Sequence, residues 1–294
     1  MKVTIGICVR NCENSIADVL NDVLMQDCPG DWIEIIVVDD GSTDKTLDII
    51  ARFASEINHA VQVYHQSWKG ISSARNVVVR NANGKYVIWV DCDMRLPPDF
   101  VRKQVGFMEK HSDVGAAKAR YKFVKGGTLV EKLENTRGRM LRSSTGKLFG
   151  TGGSICRMDA LKVIGGFDER IKGAGEDIDV MVRIAESNWS LSITDALFQE
   201  KFKGSWRSLW KQYYWYGYGA HYVRQKHKHS VSIFTRLPLV SLIIGFLRIF
   251  PAYRSNRMAA FLLTPVYHTY KETAWLFGFI NAHIQNYGHI NHQQ

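Results

Sequence analysis

Residues 33–44 read IEIIVVDDGSTD, and the architecture of the domain can be inferred from them. Its first six residues are mainly apolar and β-branched, which predicts a strand buried on both faces, as in a parallel sheet. Two acids follow, and then Gly41 and Ser42 fit a tight turn and the cap of a helix. In parallel sheets, ligands bind beyond the carboxyl ends of the strands. The acids therefore indicate either a binding edge or an ordinary strand-to-helix turn.

Apolar periodicity extends this pattern over the first 120 residues. Alternating strands and helices predict an α/β domain, with a mostly parallel, Rossmann-like sheet flanked by helices. Further predicted strands cover residues 2–9, 61–65, 85–90 and 114–118, and predicted helices cover 15–25, 46–57, 72–81 and 100–111. Beyond residue 120 the pattern loosens, and helices are predicted at 129–141, 159–164, 177–187, 237–250 and 258–284.

Composition excludes several classes of protein. Of the 294 residues, 46% are hydrophobic and 22% are charged, which excludes disordered chains, collagen and disulfide-stapled mini-proteins. Five cysteines without a CxxC pair argue against a disulfide framework and for a reducing compartment. The apolar stretch 237–247 is too short to cross a bilayer as a helix. We therefore expect a cytoplasmic protein.

The positive charge is concentrated at the C-terminal end. The chain has a net charge of +10, yet residues 201–294 hold twelve Lys or Arg and a single acid, Glu272. Tryptophan and tyrosine alternate with cations in residues 205–229. Such a segment predicts an anionic partner: nucleic acid, phospholipid headgroups or a phosphorylated substrate.

A second pair of acids, in Asp91-Cys92-Asp93, follows the predicted strand 85–90. Mg²⁺ and Mn²⁺ favour such hard oxygen ligands, together with substrate phosphates. Two carboxylates at this spacing are a weak pattern by themselves. Their place after a buried strand makes a divalent-cation site the favoured interpretation.

Two further motifs lie at predicted helix starts. Glu176 and Asp177 are two of five acidic residues that lie close together in the sequence. Neighbouring negative charges raise the proton affinity of a carboxylate, so that one of them can act as a general base. The alternative is a helix N-terminus with favourable acids. Residues 70–76, GISSARN, fit a phosphate site with Arg75 one turn into a helix, or an ordinary helix whose arginine forms a salt bridge.

The order of these motifs resembles family 2 glycosyltransferases of the GT-A fold. DDGSTD, the glycine-led ARN helix, the DxD after a strand, GGFDE and ED occur in that order over about residues 1–220. The resemblance implies an inverting enzyme. It would move one sugar from a nucleotide-diphosphate sugar to an acceptor hydroxyl or lipid phosphate, in glycan or glycolipid assembly.

The resemblance also implies roles for individual residues. Asp177 would be the catalytic base that deprotonates the acceptor. Asp93 would hold Mg²⁺ or Mn²⁺ on the diphosphate, with Asp91 nearby. The nucleotide base and ribose would contact Asp39 and Asp40, and Arg75 would lie near the nucleotide.

Two departures from the family pattern bear on these roles. Many members carry a histidine where this chain reads Phe198-Gln199-Glu200-Lys201-Phe202, so either Glu200 takes its metal role or Lys201 holds the diphosphate. The QxxRW signature of processive polysaccharide synthases is absent. We therefore expect one sugar to be transferred per encounter.

The predicted organisation is a catalytic domain at 1–220 and a helical, basic-aromatic extension at 221–294. We expect the extension to lie peripherally at the inner face of the cell membrane, because aromatic residues with cations are typical of membrane interfaces. The main alternative is a basic-aromatic protein that binds nucleic acid or a membrane and carries a noncatalytic nucleotide-binding domain. A nicotinamide-dependent oxidoreductase is disfavoured, because no GxGxxG follows the first strand.

Overall fold

The computed structural model describes residues 3–57, 61–122, 127–140, 149–171, 174–202, 204–228, 233–256 and 262–288. The chain forms two compact units. The first unit comprises residues 1–122, 144–172 and 176–201, and the second comprises 123–143, 173–175 and 202–294. This division falls before residue 220, where we placed the end of the catalytic domain; that functional boundary stays a prediction.

The first unit is built on an eight-stranded sheet with the order β3-β2-β1-β4-β7-β6-β8-β5. Its strands are β1 (Val3–Val9), β2 (Ile33–Asp40), β3 (Val61–Gln66), β4 (Tyr86–Val90), β5 (Met94–Arg95), β6 (Val114–Tyr121), β7 (Ser154–Arg157) and β8 (Ser190–Glu200). Strands β1 to β4 pair in parallel, as do β6 and β8, whereas β7 and β5 run antiparallel to their neighbours. The sheet is therefore mostly parallel, as predicted.

The helices of the first unit are α1 (Ile16–Leu24), α2 (Thr46–Glu56), α3 (Ile71–Asn81), α4 (Phe100–Lys110), α6 (Met158–Val163) and α7 (Glu176–Glu186). They cover the sheet because their apolar residues recur at helical spacing. Helix α1, for example, buries Ile16, Val19, Leu20 and Val23. All eight residues of β2 are buried. Even Glu34 is buried there, because its carboxylate accepts hydrogen bonds from Thr4 and Asn83.

Three strands of the sheet, β5, β7 and β8, were not predicted from sequence, and β7 and β8 are the two that join the sheet through β6. Strand β7 has only four residues and follows a glycine-rich turn. Strand β8 reads SLSITDALFQE, whose polar residues interrupt any apolar run. Both strands form because they pair with β6 on either side of it. Local periodicity does not encode such long-range pairing.

One cysteine pair contrasts with our expectation of a reducing compartment. Cys12, just after β1, is disulfide-bonded to Cys92, the middle residue of the DxD motif. Cys8, Cys28 and Cys156 are free thiols. A single bridge is not a disulfide framework, but it joins two loops at the carboxyl edge of the sheet.

The second unit is helical. It contains α5 (Leu129–Met140), α8 (Trp206–Lys226), α9 (Pro238–Asn256) and α10 (Thr264–Ile284). Its core lies between α5, α8 and α10 and contains Val130, Leu133, Leu209, Tyr213, Tyr267, Ala274 and Trp275. The helix predicted at 258–284 is described from residue 264 onwards, and 258–261 lie outside the described residues. Among the described helices, none has both the length and the apolar character needed to cross a bilayer.

Candidate active site

The predicted site residues of the first unit meet at one edge of the sheet. Strands β2, β4 and β8 point the same way, because β7 lies antiparallel between β4 and β6, and β6 is parallel to β8. Their carboxyl ends carry Asp39 and Asp40, the DxD motif, and Glu200 respectively. This is the edge at which α/β sheets bind ligands.

Asp39 is buried and keeps one carboxylate oxygen without a partner among the described residues. Its Oδ2 accepts from the backbone N–H of Ser42 at 3.1 Å and lies 2.8 Å from His65 Nδ1. Its Oδ1 has no hydrogen bond. A buried acceptor without a donor costs about 1–3 kcal/mol, so this oxygen is suited to receive an N–H from a ligand.

Asp40 is also buried, but the protein itself uses its carboxylate. Its Oδ1 accepts from Gln66 Nε2 at 2.7 Å and from the N–H of Lys69 at 2.8 Å. Its Oδ2 accepts from the N–H of Gly70 at 2.9 Å. Gly70 has a φ of +96°, a conformation that favours glycine. Asp40 thus shapes the turn that leads into α3, and its predicted contact with the nucleotide stays a prediction.

Arg75 connects the DxD motif to the ED motif. Its guanidinium is buried on α3, where Nη1 lies 2.5 Å from Glu176 Oε1 and Nη2 lies 3.7 Å from Asp91 Oδ1. The ring centres of Trp89 and Phe167 lie 5.7 and 5.5 Å from the guanidinium carbon of Arg75. The structure shows the buried salt bridge, and the phosphate site stays a prediction. The same contacts also place Arg75 beside the predicted diphosphate site.

The ED motif opens α7, and burial raises the pKa of both its carboxyl groups. For Glu176 the negative charge of Asp177 adds to the effect of burial, and Arg75 opposes it. For Asp177 the positive charges of Arg75 and Lys118 oppose the effect of burial. Asp177 is only partly buried, and its Oδ1 accepts from the N–H of Ile178 at 2.7 Å. It is therefore the member of the pair that can meet a substrate.

Lys118 is a functional candidate that sequence analysis missed. Its ammonium is buried on β6 and donates to the carbonyls of Gly150, at 3.2 Å, and Gly152. Burial lowers its pKa, and the negative charges of Glu200, Asp91 and Asp177 act in the opposite direction. A lysine among the small and apolar residues of 114–119 was the available signal. The Lys118 ammonium is a cation among the acids of the site.

The glycine turn before β7 lets the acids approach one another. A side chain at Gly152 would collide with the Asp91 carboxylate, and a Cβ at Gly150 would lie 3.0 Å from Asp177 Oδ2. Gly153, with a φ of +72°, packs against the ring of Phe198. The turn therefore needs glycine for space at two positions and for backbone conformation at the third.

Asp93 and Glu200 approach each other where β5 and β8 pair. Met94 is paired with Glu200, and the carbonyl of Asp93 accepts from the N–H of Lys201 at 2.9 Å. Burial, followed by the negative charge of Asp93, raises the pKa of Glu200 to about 7. Within the described ranges, no group of three or more His, Cys, Asp or Glu is arranged to hold a metal. Two carboxylates still fit Mg²⁺ or Mn²⁺, because such ions take their other ligands from substrate phosphates and water.

Comparison with known proteins places this geometry in a family. Residues 4–164 match the profile of glycosyl transferase family 2, and residues 86–279 match glycosyl transferase family group 2. The chain belongs to glycosyl transferase family 2. The predicted family is thereby confirmed, and the alternative of a nucleic-acid-binding protein is not favoured.

Several relatives in this family carry names from cell-surface glycan synthesis. The chain is 34% identical over 115 residues to the poly(ribitol-phosphate) beta-N-acetylglucosaminyltransferase TarS of Staphylococcus aureus, a match covering 39% of this chain and 20% of TarS. It is 28% identical over 209 residues to the putative glycosyltransferase EpsE of Bacillus subtilis, covering 67% of this chain and 72% of EpsE. The chain thus spans about a fifth of TarS and most of EpsE.

Solved structures support the GT-A fold. The mannosyltransferase PcManGT from Pyrobaculum calidifontis, solved in complex with GDP-Man and Mn²⁺, has a TM-score of 0.67 at 18% identity and covers 97% of this chain and 87% of its own. A fragment of S. aureus TarS has a TM-score of 0.55 at 18% identity, covering all of this chain and 93% of the fragment. The predicted fold is confirmed, including the helical C-terminal part.

Proposed function

We propose that the protein is an inverting glycosyltransferase that moves one sugar from a nucleotide-diphosphate donor to an acceptor hydroxyl. The observation that carries this proposal is the arrangement at the carboxyl edge of the sheet. There Arg75 contacts both Asp91 of the DxD motif and Glu176, the residue before Asp177. These contacts support the proposal, because they hold one acid of the DxD motif close to the ED motif, and donor activation and acceptor deprotonation require such proximity.

In this proposal Asp39 recognises the nucleotide base and Asp40 supports the loop beside it. The Oδ1 of Asp39, which has no partner among the described residues, is an acceptor that a ring N–H of the base can satisfy. Uracil, thymine and guanine present a ring N–H, whereas the corresponding nitrogen of cytosine is an acceptor. UDP, dTDP and GDP donors therefore fit Asp39 better than CDP donors.

Asp93, with Asp91 and Glu200 nearby, holds Mg²⁺ or Mn²⁺ in this proposal. The bound cation would neutralise the charge that develops on the departing diphosphate. Lys118 and Arg75 supply fixed positive charge in the same cluster. Lys118 also holds the glycine turn through two carbonyls, so it positions the loop that we expect to face the donor sugar.

Asp177 acts as the general base. It accepts the proton of the acceptor hydroxyl as the acceptor oxygen attacks the anomeric carbon. The bond from that carbon to the diphosphate oxygen breaks on the opposite face, so the configuration inverts and the nucleoside diphosphate leaves. Since one carboxylate suffices, no covalent intermediate is needed.

The acceptor that we propose is a hydroxyl of a cell-surface glycan or polyol-phosphate polymer, or a lipid phosphate. The names of TarS and of its relatives in glycan synthesis support this choice. Such acceptors are assembled at membranes, and the C-terminal end is strongly basic. We therefore propose peripheral contact with the inner face of the cell membrane.

Thermal shift with nucleotides tests the donor site. A ligand that binds the native state raises the melting temperature by mass action. We expect UDP, dTDP or GDP to stabilise the protein in the presence of Mn²⁺, and CDP to have little effect. Asp93→Ala should abolish the Mn²⁺ dependence of this shift, whereas Asp48→Ala, an exposed acid on α2, should preserve it. Nucleotide stabilisation that is equal with and without Mn²⁺ would refute the metal assignment.

Gly152→Ala tests the contact between the glycine turn and the DxD motif. The added methyl group would displace the Asp91 carboxylate. We expect the affinity for the nucleotide with Mn²⁺ to be at least tenfold weaker, which is a loss of about 1.4 kcal/mol in binding free energy. Gly106→Ala is the matched control, because a Cβ there has no atom within 4 Å. Unchanged affinity in Gly152→Ala, measured by isothermal titration calorimetry, would show that Asp91 is not needed in this position.

A further inference from the structure

Helix α9 in the second unit presents an apolar stripe to solvent. Five large apolar side chains on it are between 59 and 76% exposed: Leu239, Ile243, Phe246, Leu247 and Phe250. Their spacing places them within about 100° of arc on one face of the helix, at 100° per residue. A face of this kind on a monomeric protein marks an interaction site.

The polarity of α9 is the reverse of that expected for a surface helix. Its buried positions include Ser241 and Gly245, and a Cβ at Gly245 would collide with Pro265 of α10. Arg248 Nη1 lies 2.7 Å from His268 Nε2 of α10. Small and polar residues therefore face α10, and the apolar residues face outwards. Since the described residues of the second unit leave this stripe exposed, it is available to a partner.

The charge of the surrounding sequence identifies the partner. Residues 201–294 carry twelve Lys or Arg and one acid, a net charge of +11. That one acid, Glu272, is mostly buried, and its Oε2 lies 2.6 Å from Arg236 Nη1. The stripe itself contains no charged residue. An apolar stripe within a cationic segment matches a surface that is apolar inside and anionic outside.

We propose that the α9 stripe is the surface by which this protein docks onto an anionic lipid bilayer. The inference rests on the membrane contact proposed above and assigns it to one helix face. From residue 239 to residue 250 the stripe is about 17 Å long at 1.5 Å per residue, which is shorter than the hydrocarbon core. The helix therefore lies in the plane of the interface, with its apolar side chains below the headgroups and nearby cations on anionic lipid.

A second copy of the chain is a less suitable occupant. Pairing two copies through this stripe would bring two segments of charge +11 together. Like charges at this density repel, whereas phosphatidylglycerol headgroups attract them. A bilayer therefore satisfies both the apolar stripe and the charge.

Vesicle flotation with the full chain tests the proposal. We expect the protein to float with vesicles containing phosphatidylglycerol and to bind pure phosphatidylcholine vesicles at least tenfold more weakly. The double variant Ile243→Glu with Leu247→Glu should bind anionic vesicles at least tenfold more weakly than the unmodified protein. The double variant Ile243→Leu with Leu247→Ile keeps both positions apolar. It should bind anionic vesicles as the unmodified protein does.

A matched control separates the stripe from any exposed apolar residue. Met25 and Val163 in the first unit are 70 and 68% exposed, so Met25→Glu with Val163→Glu adds the same charge at similar exposure. This control should bind anionic vesicles as the unmodified protein does. As a measurement that needs no variant, amide hydrogen exchange in residues 239–250 should slow at least threefold when anionic vesicles are added.

Three results would overturn the inference. The first is that the stripe variant floats as well as the unmodified protein. The second is that vesicles leave exchange in 239–250 unchanged. The third is that the unmodified protein does not bind vesicles and sediments as a dimer, whereas the stripe variant sediments as a monomer. Nucleotide thermal shifts should be the same in all these variants, so failure of membrane docking is distinguishable from failure of the proposed transferase activity.

Discussion

Asp177→Asn is expected to lower the turnover of sugar transfer by about a hundredfold to ten-thousandfold, the range for loss of a general base. The amide cannot accept the proton of the acceptor hydroxyl, although it has nearly the same shape as the carboxylate. Donor binding should change little, since the proposed donor contacts are Asp39, Asp91 and Asp93. Turnover in steady-state assays and nucleotide affinity by calorimetry give the two readouts.

The matched control for this substitution is Asp159→Asn, an exposed acid on α6 in the same unit. It should leave turnover within about twofold. Turnover of Asp177→Asn close to that of the unmodified protein would contradict the base assignment. Equal loss of turnover and of nucleotide affinity would instead assign Asp177 to donor binding.

The pH dependence of turnover provides a further test of the same residue. A base must be ionised to work, and burial raises the pKa of Asp177 above its ordinary value. Activity should therefore fall with decreasing pH at a higher pH than an ordinary aspartate would give. Lys118→Met should move this acidic limb to still higher pH, because the Lys118 charge lowers the pKa of Asp177. A limb that stays in place would contradict the electrostatic role of Lys118.

Arg75→Met is expected to lower the free energy of unfolding by about 3 kcal/mol or more at pH 8, the usual effect of removing one partner from a buried ion pair. The side chains of Arg75 and Glu176 are only 6 and 9% exposed, so water compensates little for the lost contact. The methionine fills similar volume but leaves the Glu176 carboxylate without its cation. Urea denaturation followed by tryptophan fluorescence measures the loss.

The effect of Arg75→Met should depend on pH in a defined direction. The pKa of Glu176 is raised in the folded state, so its contribution to stability is present below its unfolded pKa and is lost as pH rises through the folded value. Removing Arg75 raises the folded pKa further, so the variant loses more stability on going from pH 5 to pH 8. At pH 5 Glu176 is protonated and the effect of the substitution is smaller.

Two comparisons make this prediction specific. Arg80 lies on the same helix as Arg75 and is an exposed partner of Glu169. Arg80→Met should therefore lower the free energy of unfolding by less than about 1 kcal/mol. Adding Glu176→Gln to Arg75→Met should recover much of the loss, because no buried charge then remains. An equal loss at pH 5 and pH 8, or no recovery in the double variant, would contradict the buried-pair interpretation.

The local patterns of the sequence were sufficient for much of the fold. The apolar run of β2 and the helical spacing in α1 depend on which faces are buried, and burial follows from neighbouring residues. The order of motifs was likewise enough to indicate the family. Acids after buried strands could be predicted to meet at one edge, because parallel strands end on the same side.

The roles of individual polar groups could not be predicted in this way. Sequence could not show that protein donors occupy the Asp40 carboxylate while one oxygen of Asp39 lacks a partner. Sequence also could not show that Arg75 pairs with Glu176, which is 101 positions away. Lys118 passed unnoticed because its partners lie on the turn before β7.

Local patterns predicted the parallel strands of the sheet, the five motifs and the basic character of the C-terminal end. Which acids are buried, which cations lie against them and which face of α9 is exposed became visible only in the folded structure. The difference is one of sequence separation. Helical and strand periodicity arises between residues a few positions apart, whereas burial and ion pairing depend on segments that strand pairing brings together from distant parts of the chain.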